Sequence, residues 1–285
     1  MIRLRARRAE VGIDRAPPIR GNGILDFLVD CEVIATRNVR TITRNRQMML
    51  GVVLQPLMFV LLFSYVFGDA LGGDRYREFL IGGIMTQTVA FNSAFTALGL
   101  ATDLGTGIVE RFLALPMSRL AIVAGRTISD LTVNVVGLTV MTLAGLTVGW
   151  RIEAGFWFAV GAYATALVFG FALSWIGAVI GIVAASAEAA QSLLLTVLFP
   201  ISFVSSAFIP SRLLPIPLRQ IATWNPVTAV ARSFRQGFGN PISVNPLFGE
   251  PVTWASQHAQ LYTMVCSGII LAVGLPLTAR VLRRR

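Results

Sequence analysis

The sequence contains no lysine, because all 24 of its basic residues are arginine. A Walker A loop needs a lysine to reach the β- and γ-phosphates of a nucleotide, so this chain cannot carry an ordinary P-loop. It has a single histidine, His258, and two widely separated cysteines, Cys31 and Cys266. The residues required for a histidine-based metal site, a Ser/His triad or a CxxC motif are therefore missing, and no disulfide is expected.

Charged residues are also scarce, at 13% of the chain against 55% hydrophobic residues, which is too little charge to cover the surface of a soluble protein. Six stretches between consecutive charged residues are at least 20 residues long. A helix needs roughly 20 apolar residues to cross a bilayer, so each of these stretches predicts a span. We expect an all-α membrane protein with six transmembrane helices, at residues 48–68, 79–101, 120–149, 155–184, 189–209 and 259–279.

The net charge of +10 does not indicate nucleic-acid binding, because of where the arginines lie. Ten arginines precede residue 47 and four fall at residues 280–285, next to predicted spans. With both termini inside, 17 arginines are cytoplasmic and seven are outside, which is the positive-inside pattern. The exclusive use of arginine is typical of a high-G+C bacterial genome. We therefore expect a multi-pass protein of the bacterial plasma membrane with cytoplasmic N- and C-termini.

Residues 1–22 are basic and rich in turn formers, and we expect them to be disordered ahead of a single transmembrane domain at 23–285. Residues 24–46 have apolar residues at helical spacing but are too polar to span a membrane. We expect this amphipathic helix to lie along the cytoplasmic surface with its apolar side toward lipid. Packing on a soluble domain is the alternative. Its candidate functional residues are Phe27, Glu32, Arg37 and Arg40.

The loop after the second predicted span reads TGIVERFLALPMSR. Its apolar residues form a short stripe, Glu110 and Arg111 lie opposite, and Pro116 ends the helix. A short helix of this kind suits docking into a groove on a partner protein. A connector that lies on the surface without a partner fits the same residues, so both interpretations stay open at this point.

Several polar residues fall inside the predicted spans, where they either line a path or bond one helix to another. Together with nearby phenylalanines they make a candidate substrate path, although lipid-facing phenylalanines look the same in sequence: Gln55, Phe59, Phe63, Gln87, Phe91, Asn92 and Phe95. Arg126 and Asp130 stand at i, i+4, where they could pair, pack or contact substrate. Gly177 and Gly181 form a GxxxG motif, typical of close helix packing.

A proline-broken apolar stretch follows the fifth predicted span, SSAFIPSRLLPIPLRQIATWNPVTAVARSFR. It is too apolar for a free loop and too interrupted for a span. We expect short re-entrant helices that dip into the outer leaflet, which is tolerated where protein buries the backbone.

Two of these motifs carry a family resemblance. The loop TGIVERFLALPMSR resembles the coupling-helix loop of ABC-2-type permeases, and the stretch containing NPVT resembles the daunorubicin-resistance-type members of that family. The resemblance covers about residues 25–285. It implies a coupling region that contacts an ATPase through Gly107, Glu110, Arg111, Phe112, Leu113, Pro116 and Arg119. Arg111 is the candidate partner for an acidic residue of the ATPase.

The resemblance also implies a mechanism and partners. Two permease subunits, either two copies of this chain or this chain with a related permease, each dock on a separate ABC ATPase subunit. ATP and magnesium belong to that ATPase, and this chain binds no cofactor and is not an enzyme. The expected cargo is hydrophobic or amphiphilic, such as a lipid, a glycolipid or an anthracycline drug, and membrane lipid is a further contact. A secondary transporter and a membrane-embedded lipid-modifying enzyme remain the alternatives.

Overall fold

The computed structural model describes residues 23–67, 73–115, 117–240 and 251–284. Helices and the turns between them make up this part of the chain, and no strand occurs in it. The α-helices are α1 (Ile24–Arg44), α2 (Arg46–Leu62), α3 (Asp74–Gly105), α4 (Ile108–Leu113), α5 (Arg119–Thr147), α6 (Phe156–Val183), α7 (Ala187–Phe203), α8 (Ile216–Trp224), α9 (Pro226–Phe238), α10 (Trp254–Gln257) and α11 (Ala259–Arg283). A π-helical turn, Phe63–Phe67, continues α2, and a 3-10 turn, Ser211–Leu213, precedes α8. The predicted disordered segment 1–22 lies outside the described residues.

Four helical segments of the described chain are long and apolar enough to cross a membrane, and they agree with four of the predicted spans. They are Met49–Val66, Arg119–Thr147, Phe156–Val183 and Ala259–Arg283. The predicted fifth span, 189–209, corresponds to α7, which is apolar but only 17 residues long and ends at Phe203. The predicted second span, 79–101, lies inside α3, which is 32 residues long but more polar.

Helix α3 is polar because protein surrounds it. Nearly every residue from Phe79 to Ala94 is buried, including the polar side chains of Thr86, Gln87 and Asn92. Helices α2, α5, α6, α7 and α9 all pack against it. A helix enclosed by other helices does not need an apolar surface on every side, so its mean hydropathy falls below that of α2, α5, α6 and α7.

Helix α6 approaches α3 closely through the predicted GxxxG motif. A methyl group at Gly177 would lie 2.6 Å from the carbonyl oxygen of Ser93, and one at Gly181 would lie 2.6 Å from that of Ala97. Only glycine permits backbones to come this near. The motif therefore serves helix packing, and α11 also packs against α6.

Helix α1 packs against α5, and its geometry differs from that of a helix resting with its apolar side on lipid. Three residues of the predicted apolar face, Cys31, Ile34 and Ile42, are buried in the protein, whereas Ile24 and Leu28 are exposed. Burial raises the pKa of the Cys31 thiol, and the neighbouring Asp30 carboxylate raises it further. Cys31 and Cys266 are both free.

The proline-broken stretch forms short helices, as its sequence predicts. Asn225 caps α9: its Oδ1 accepts a hydrogen bond from the backbone N–H of Val227 at 2.8 Å, while its Nδ2 donates to the carbonyls of Ile201 and Val204, each at 2.7 Å. Helix α9 is buried along most of its length and packs against α3, α6 and α11. The NPVT motif therefore joins the end of α7 to a helix inside the bundle.

Candidate functional site

The short helix α4 begins after a glycine that the turn requires. Gly107 caps it with a φ of 71°, a left-handed conformation that side chains other than glycine rarely adopt. One face of α4 is anchored by Val109, which is 1% exposed. Val109 belongs to an apolar cluster with Cys31 of α1, Leu100 of α3 and Ala121 of α5. Three longer helices thus hold α4 from one side.

The opposite face of α4 is free. Glu110 and Arg111 are exposed, and neither side chain makes a hydrogen bond or ion pair with any residue that the structure describes. Leu115, just beyond the helix, is 54% exposed, and Arg119 is exposed at the start of α5. The predicted coupling residues Phe112 and Leu113 are half-buried against the apolar cluster. Pro116 lies outside the described residues.

A charge network ties together the helices that hold α4. Asp103, near the end of α3, accepts hydrogen bonds from Nη1 of Arg126 on α5 at 3.3 Å and from Nη2 of Arg37 on α1 at 3.2 Å. Arg126 is 7% exposed, and its Nη2 also donates to the carbonyl of Phe95 at 3.2 Å. The charge of Asp103 is thus shared between two arginines from different helices, which fixes α1 and α5 against the end of α3.

Of the alternatives that the sequence leaves open for Arg126, the structure does not use the pairing with Asp130, because Arg126 pairs with Asp103. Asp130 is buried one turn further along α5, and its Oδ2 accepts a hydrogen bond from the hydroxyl of Thr96. The i, i+4 spacing suits an exposed helix, but here both side chains point into the bundle, where partners on α3 are nearer.

Two further contacts connect α1 to the α4 loop. The guanidinium carbon of Arg37 lies 5.3 Å from the ring centroid of Phe112, within the range of a cation–π interaction. The backbone N–H of Ser118 donates to Oδ2 of Asp30 at 3.3 Å. Of the other candidates on α1, Phe27 packs against the apolar cluster, while Glu32 and Arg40 are exposed.

The candidate substrate path is largely brought together in one place. A groove between α2 and α3 contains a cavity of about 20 Å³, enough for roughly one water molecule. Six of the seven predicted path residues line it: Gln55, Phe59, Gln87, Phe91, Asn92 and Phe95. The seventh, Phe63, stacks instead on Phe208 with ring centroids 5.2 Å apart.

Comparison with known proteins agrees with this geometry. The family model described as ABC-2 type transporter matches residues 30–238, from Asp30 in α1 to the last residue of α9. The chain belongs to the ABC-2 type transporter family. It is also 32% identical, over 239 residues, to the daunorubicin resistance ABC transporter permease protein DrrB1 of Streptomyces coeruleorubidus. That match covers 83% of this chain and 80% of the relative.

Membership of the ABC-2 family makes this chain a multi-pass membrane protein and a transport component. The match includes both motifs that carried the resemblance, the α4 loop and the stretch from α7 to α9. It also includes every residue of the charge network, since Arg37, Asp103 and Arg126 all lie between residues 30 and 238.

Sequence reasoning missed one member of this charge network. Asp103 was not among the candidates, whereas Arg126 was a candidate with Asp130 as one possible partner. A usable signal exists, because Asp103 ends one long uncharged run and Arg126 follows shortly before the next. Charges at adjoining ends of two antiparallel spans lie at the same depth, where an acid and a base of opposite helices can meet.

A second missed residue is Arg235 on α9, which is completely buried. Its Nε donates to the carbonyl of Phe79 at 2.8 Å, and its Nη2 donates to the carbonyls of Ser206 at 2.7 Å and Ala207 at 3.2 Å. The guanidinium also lies over the Phe79 ring, 3.5 Å from its centroid. Arg235 thereby satisfies the backbone of the turn after α7 and fixes α9 to α3.

Proposed function

We propose that this chain is the membrane-spanning subunit of an ATP-driven exporter whose ATPase is a separate polypeptide. The absence of lysine means that the chain has no Walker A lysine of its own, so ATP and magnesium belong to the partner ABC ATPase. Family membership favours this function over a secondary transporter or a lipid-modifying enzyme.

The observation that carries the proposal is the two-sided character of α4. Val109 is buried in the bundle and Phe112 is half-buried. Glu110, Arg111 and Leu115 are exposed on the other side, and the two charged side chains have no hydrogen bond or ion pair with the described residues. A rigidly held helix with an exposed charge pair and an apolar residue suits a groove on another protein. We assign the outward face of α4 as the surface that engages the ATPase.

Contacts between side chains connect α4 to the membrane-spanning helices. Arg37 contacts Phe112 of α4 and binds Asp103 of α3, which in turn binds Arg126 of α5. A displacement of α4 by the ATPase would therefore shift α1, α3 and α5 together. Because the groove lies between α2 and α3, its shape would change with that movement.

The proposed topology has six spans, formed by α2 with its π-helical turn, α3, α5, α6, α7 and α11. Helix α3 qualifies as a span despite its polar residues, because other helices enclose it. Helix α7 qualifies despite its shorter length, because the turn that follows it extends the segment. The N- and C-termini and α4 lie in the cytoplasm, and α8 and α9 form a re-entrant segment on the outer side. The arginine distribution supports this orientation in a bacterial plasma membrane.

The proposed cargo is a hydrophobic or amphiphilic molecule. The relative's name specifies daunorubicin resistance, which favours an amphiphilic drug such as an anthracycline over a lipid or glycolipid. A second permease, either another copy or a related chain, completes the exporter.

Inverted membrane vesicles provide the test. Vesicles from cells that express the chain together with the ABC ATPase that co-purifies with it from its host should accumulate daunorubicin when ATP is supplied. Vesicles with the ATPase alone, or with its Walker A lysine replaced by alanine, should not. ATP-independent accumulation driven by a proton gradient would instead identify a secondary transporter and overturn the proposal.

A further inference from the structure

A large apolar cleft lies between α6, α7, α11 and the short helices α8 and α9, and is called the α8 cleft below. Its volume is about 590 Å³, within the usual range for a small-molecule pocket, roughly 300–1,000 Å³. Gln220 and Asn225 are the two amide side chains of its lining, and the other lining residues are apolar or aromatic. Those that matter most below are Phe169, Leu173, Leu198, Ile201, Trp224 and Ile270.

The α8 cleft is open on the lipid-facing side of the protein. Three of its lining residues are largely exposed, Ile201 by 40%, Ile221 by 59% and Trp224 by 53%. The exposed residues next to it on α7 and α11, such as Val197 and Ile269, are also apolar. In a membrane-spanning chain such a surface contacts acyl chains.

The chemistry of the lining limits what can occupy the α8 cleft. Water would find few hydrogen-bond partners there, because the amide of Asn225 is already bonded to Ile201, Val204 and Val227. An empty cleft would forfeit the dispersion contacts of its walls. A flexible hydrocarbon chain makes those contacts without needing any polar partner, so an acyl chain is the occupant that matches.

The position of the α8 cleft favours a resident lipid over a transported molecule. Helices α1, α3, α4 and α5, which the charge network and its cation–π contact join together, contribute no residue to its lining. A displacement of α4 therefore does not act directly on the walls of the cleft. A ligand held there would remain in place while the other helices move.

An arginine without a counter-ion lies beside the lining. Arg219 directly precedes Gln220 in α8, and its Nη2 donates to the backbone carbonyls of Arg212 at 2.8 Å and Leu214 at 3.2 Å. Its Nη1 makes no hydrogen bond with the described residues, and none of their carboxylates pairs with it. A half-buried guanidinium with an unused N–H donor suits a phosphate group. Gln220 is exposed and adds a second polar group at the same place.

We propose that the α8 cleft holds one acyl chain of a resident anionic phospholipid, and that Arg219 binds the phosphate of that lipid. The lipid joins α8 and α9 to the spans α6, α7 and α11, whose side chains form the cleft. The inference goes beyond the proposed function, because the lipid is a bound component of the permease and not its cargo.

Native mass spectrometry of the full chain in detergent tests the headgroup. The chain is titrated with phosphatidylglycerol and with phosphatidylcholine that carries the same acyl chains, and wild type should bind one phosphatidylglycerol more tightly. Arg219→Gln should weaken phosphatidylglycerol binding roughly tenfold, the effect of losing a charge-assisted hydrogen bond, and leave phosphatidylcholine binding unchanged. Arg151→Gln is the matched control, because Arg151 is also an arginine that bonds only to backbone carbonyls.

Tryptophan substitutions that fill the α8 cleft test the acyl-chain site. Ile270→Trp and Leu173→Trp, on different helices and both half-buried, should each remove tight binding of phosphatidylglycerol. Ile269→Trp, on the same helix but 60% exposed and outside the lining, should bind as wild type does. Phosphatidylglycerol should also raise the melting temperature of wild type and of Ile269→Trp, but not that of Ile270→Trp.

Three results would overturn the proposal. One is equal affinity of wild type for the two lipids, or an unchanged preference in Arg219→Gln. Another is tight phosphatidylglycerol binding by both variants that fill the cleft. The third is stoichiometric displacement of the bound lipid by daunorubicin in wild type, which would assign the α8 cleft to cargo.

Discussion

The guanidinium of Arg126 on α5 occupies the space directly over Gly99 of α3, where any side chain at residue 99 would overlap it. From this position Arg126 reaches both Asp103, one turn along α3, and the carbonyl of Phe95, one turn back. The arginine therefore lies along α3 across two helical turns. Glycine at residue 99 is what permits the two helices to be joined by a partly buried ion pair.

Substitution of Gly99 should disturb the charge network of Arg37, Asp103 and Arg126. Gly99→Ala forces the guanidinium of Arg126 to move and weakens its bond to Asp103; because this flexible side chain can give way, we expect a loss of about 1 kcal/mol in the free energy of unfolding. The measurement is thermal unfolding of the purified protein. Gly105→Ala, at the end of the same helix, meets no atom within 4 Å and should not lower stability. Equal melting temperatures for both variants would contradict the placement of Arg126.

Removal of Arg37 should affect coupling more than stability. The Arg37–Asp103 pair is partly exposed, so Arg37→Gln should cost no more than about 1 kcal/mol. The variant should still bind the ATPase. It should show less daunorubicin-stimulated ATP hydrolysis, because Arg37 also contacts Phe112. Arg44→Gln, at the exposed end of the same helix, is the control. Unchanged stimulation in Arg37→Gln would show that motion does not pass through α1.

The long helices could be predicted from the spacing of charged residues. The prediction of 155–184 matches α6 within a residue at each end, because charged residues bracket it. The start of α3 was missed by five residues, since the helix begins at Asp74 and carries Arg77 and Glu78 in its first turns. Tertiary packing accommodates them: Tyr76, in the same turns, is buried and donates a hydrogen bond to the carbonyl of Phe208 at 3.4 Å.

The candidate site was predictable only where its residues are adjacent in sequence. The α4 loop could be predicted directly, because its apolar stripe and its charge pair are formed by residues that are close together in the sequence. The charge network joins α1, α3 and α5 across separations of 66 and 23 residues, which no helical period encodes. The substrate path was proposed from residue type alone. Phe63 fails to reach the groove because stacking on Phe208 holds it elsewhere.

The reactivity of Cys31 should report how α1 is packed. Its raised pKa means that less thiolate is present at pH 7.5 than for an ordinary thiol, and its side chain is buried against α5. In a Cys266→Ser background, N-ethylmaleimide should react with Cys31 roughly tenfold more slowly than with a cysteine introduced by Thr36→Cys on the exposed face of α1. The rate for Cys31 should rise as the pH approaches the raised pKa. Similar rates at pH 7.5 would indicate that α1 lies free of α5.

Arg235 should be the most sensitive position in the segment after α7. Arg235→Leu leaves the buried carbonyls of Phe79, Ser206 and Ala207 without this donor, so we expect a loss of roughly 3 kcal/mol or more. Arg235→Lys keeps the positive charge but lacks the planar guanidinium with its several N–H donors, so its loss of stability should be intermediate. Arg151→Leu is the control, because Arg151 is exposed and water can replace its bonds. Detergent-solubilised protein can be compared by thermal unfolding. A melting temperature for Arg235→Leu equal to that of the control would refute the assigned role.

The most direct test of the account is the attachment of the ATPase to the outward face of α4. Tagged wild-type chain, Arg111→Glu and the control Arg283→Glu, which changes an exposed arginine near the C-terminus, are each co-expressed with the ABC ATPase and purified. The Arg111 side chain makes no hydrogen bond or ion pair with the described residues, so reversal of its charge should leave folding intact. The variant should greatly reduce the co-purified ATPase and abolish ATP-driven daunorubicin accumulation, whereas the control should match wild type. Full ATPase recovery and full transport in Arg111→Glu would contradict the assignment of α4 as the coupling surface.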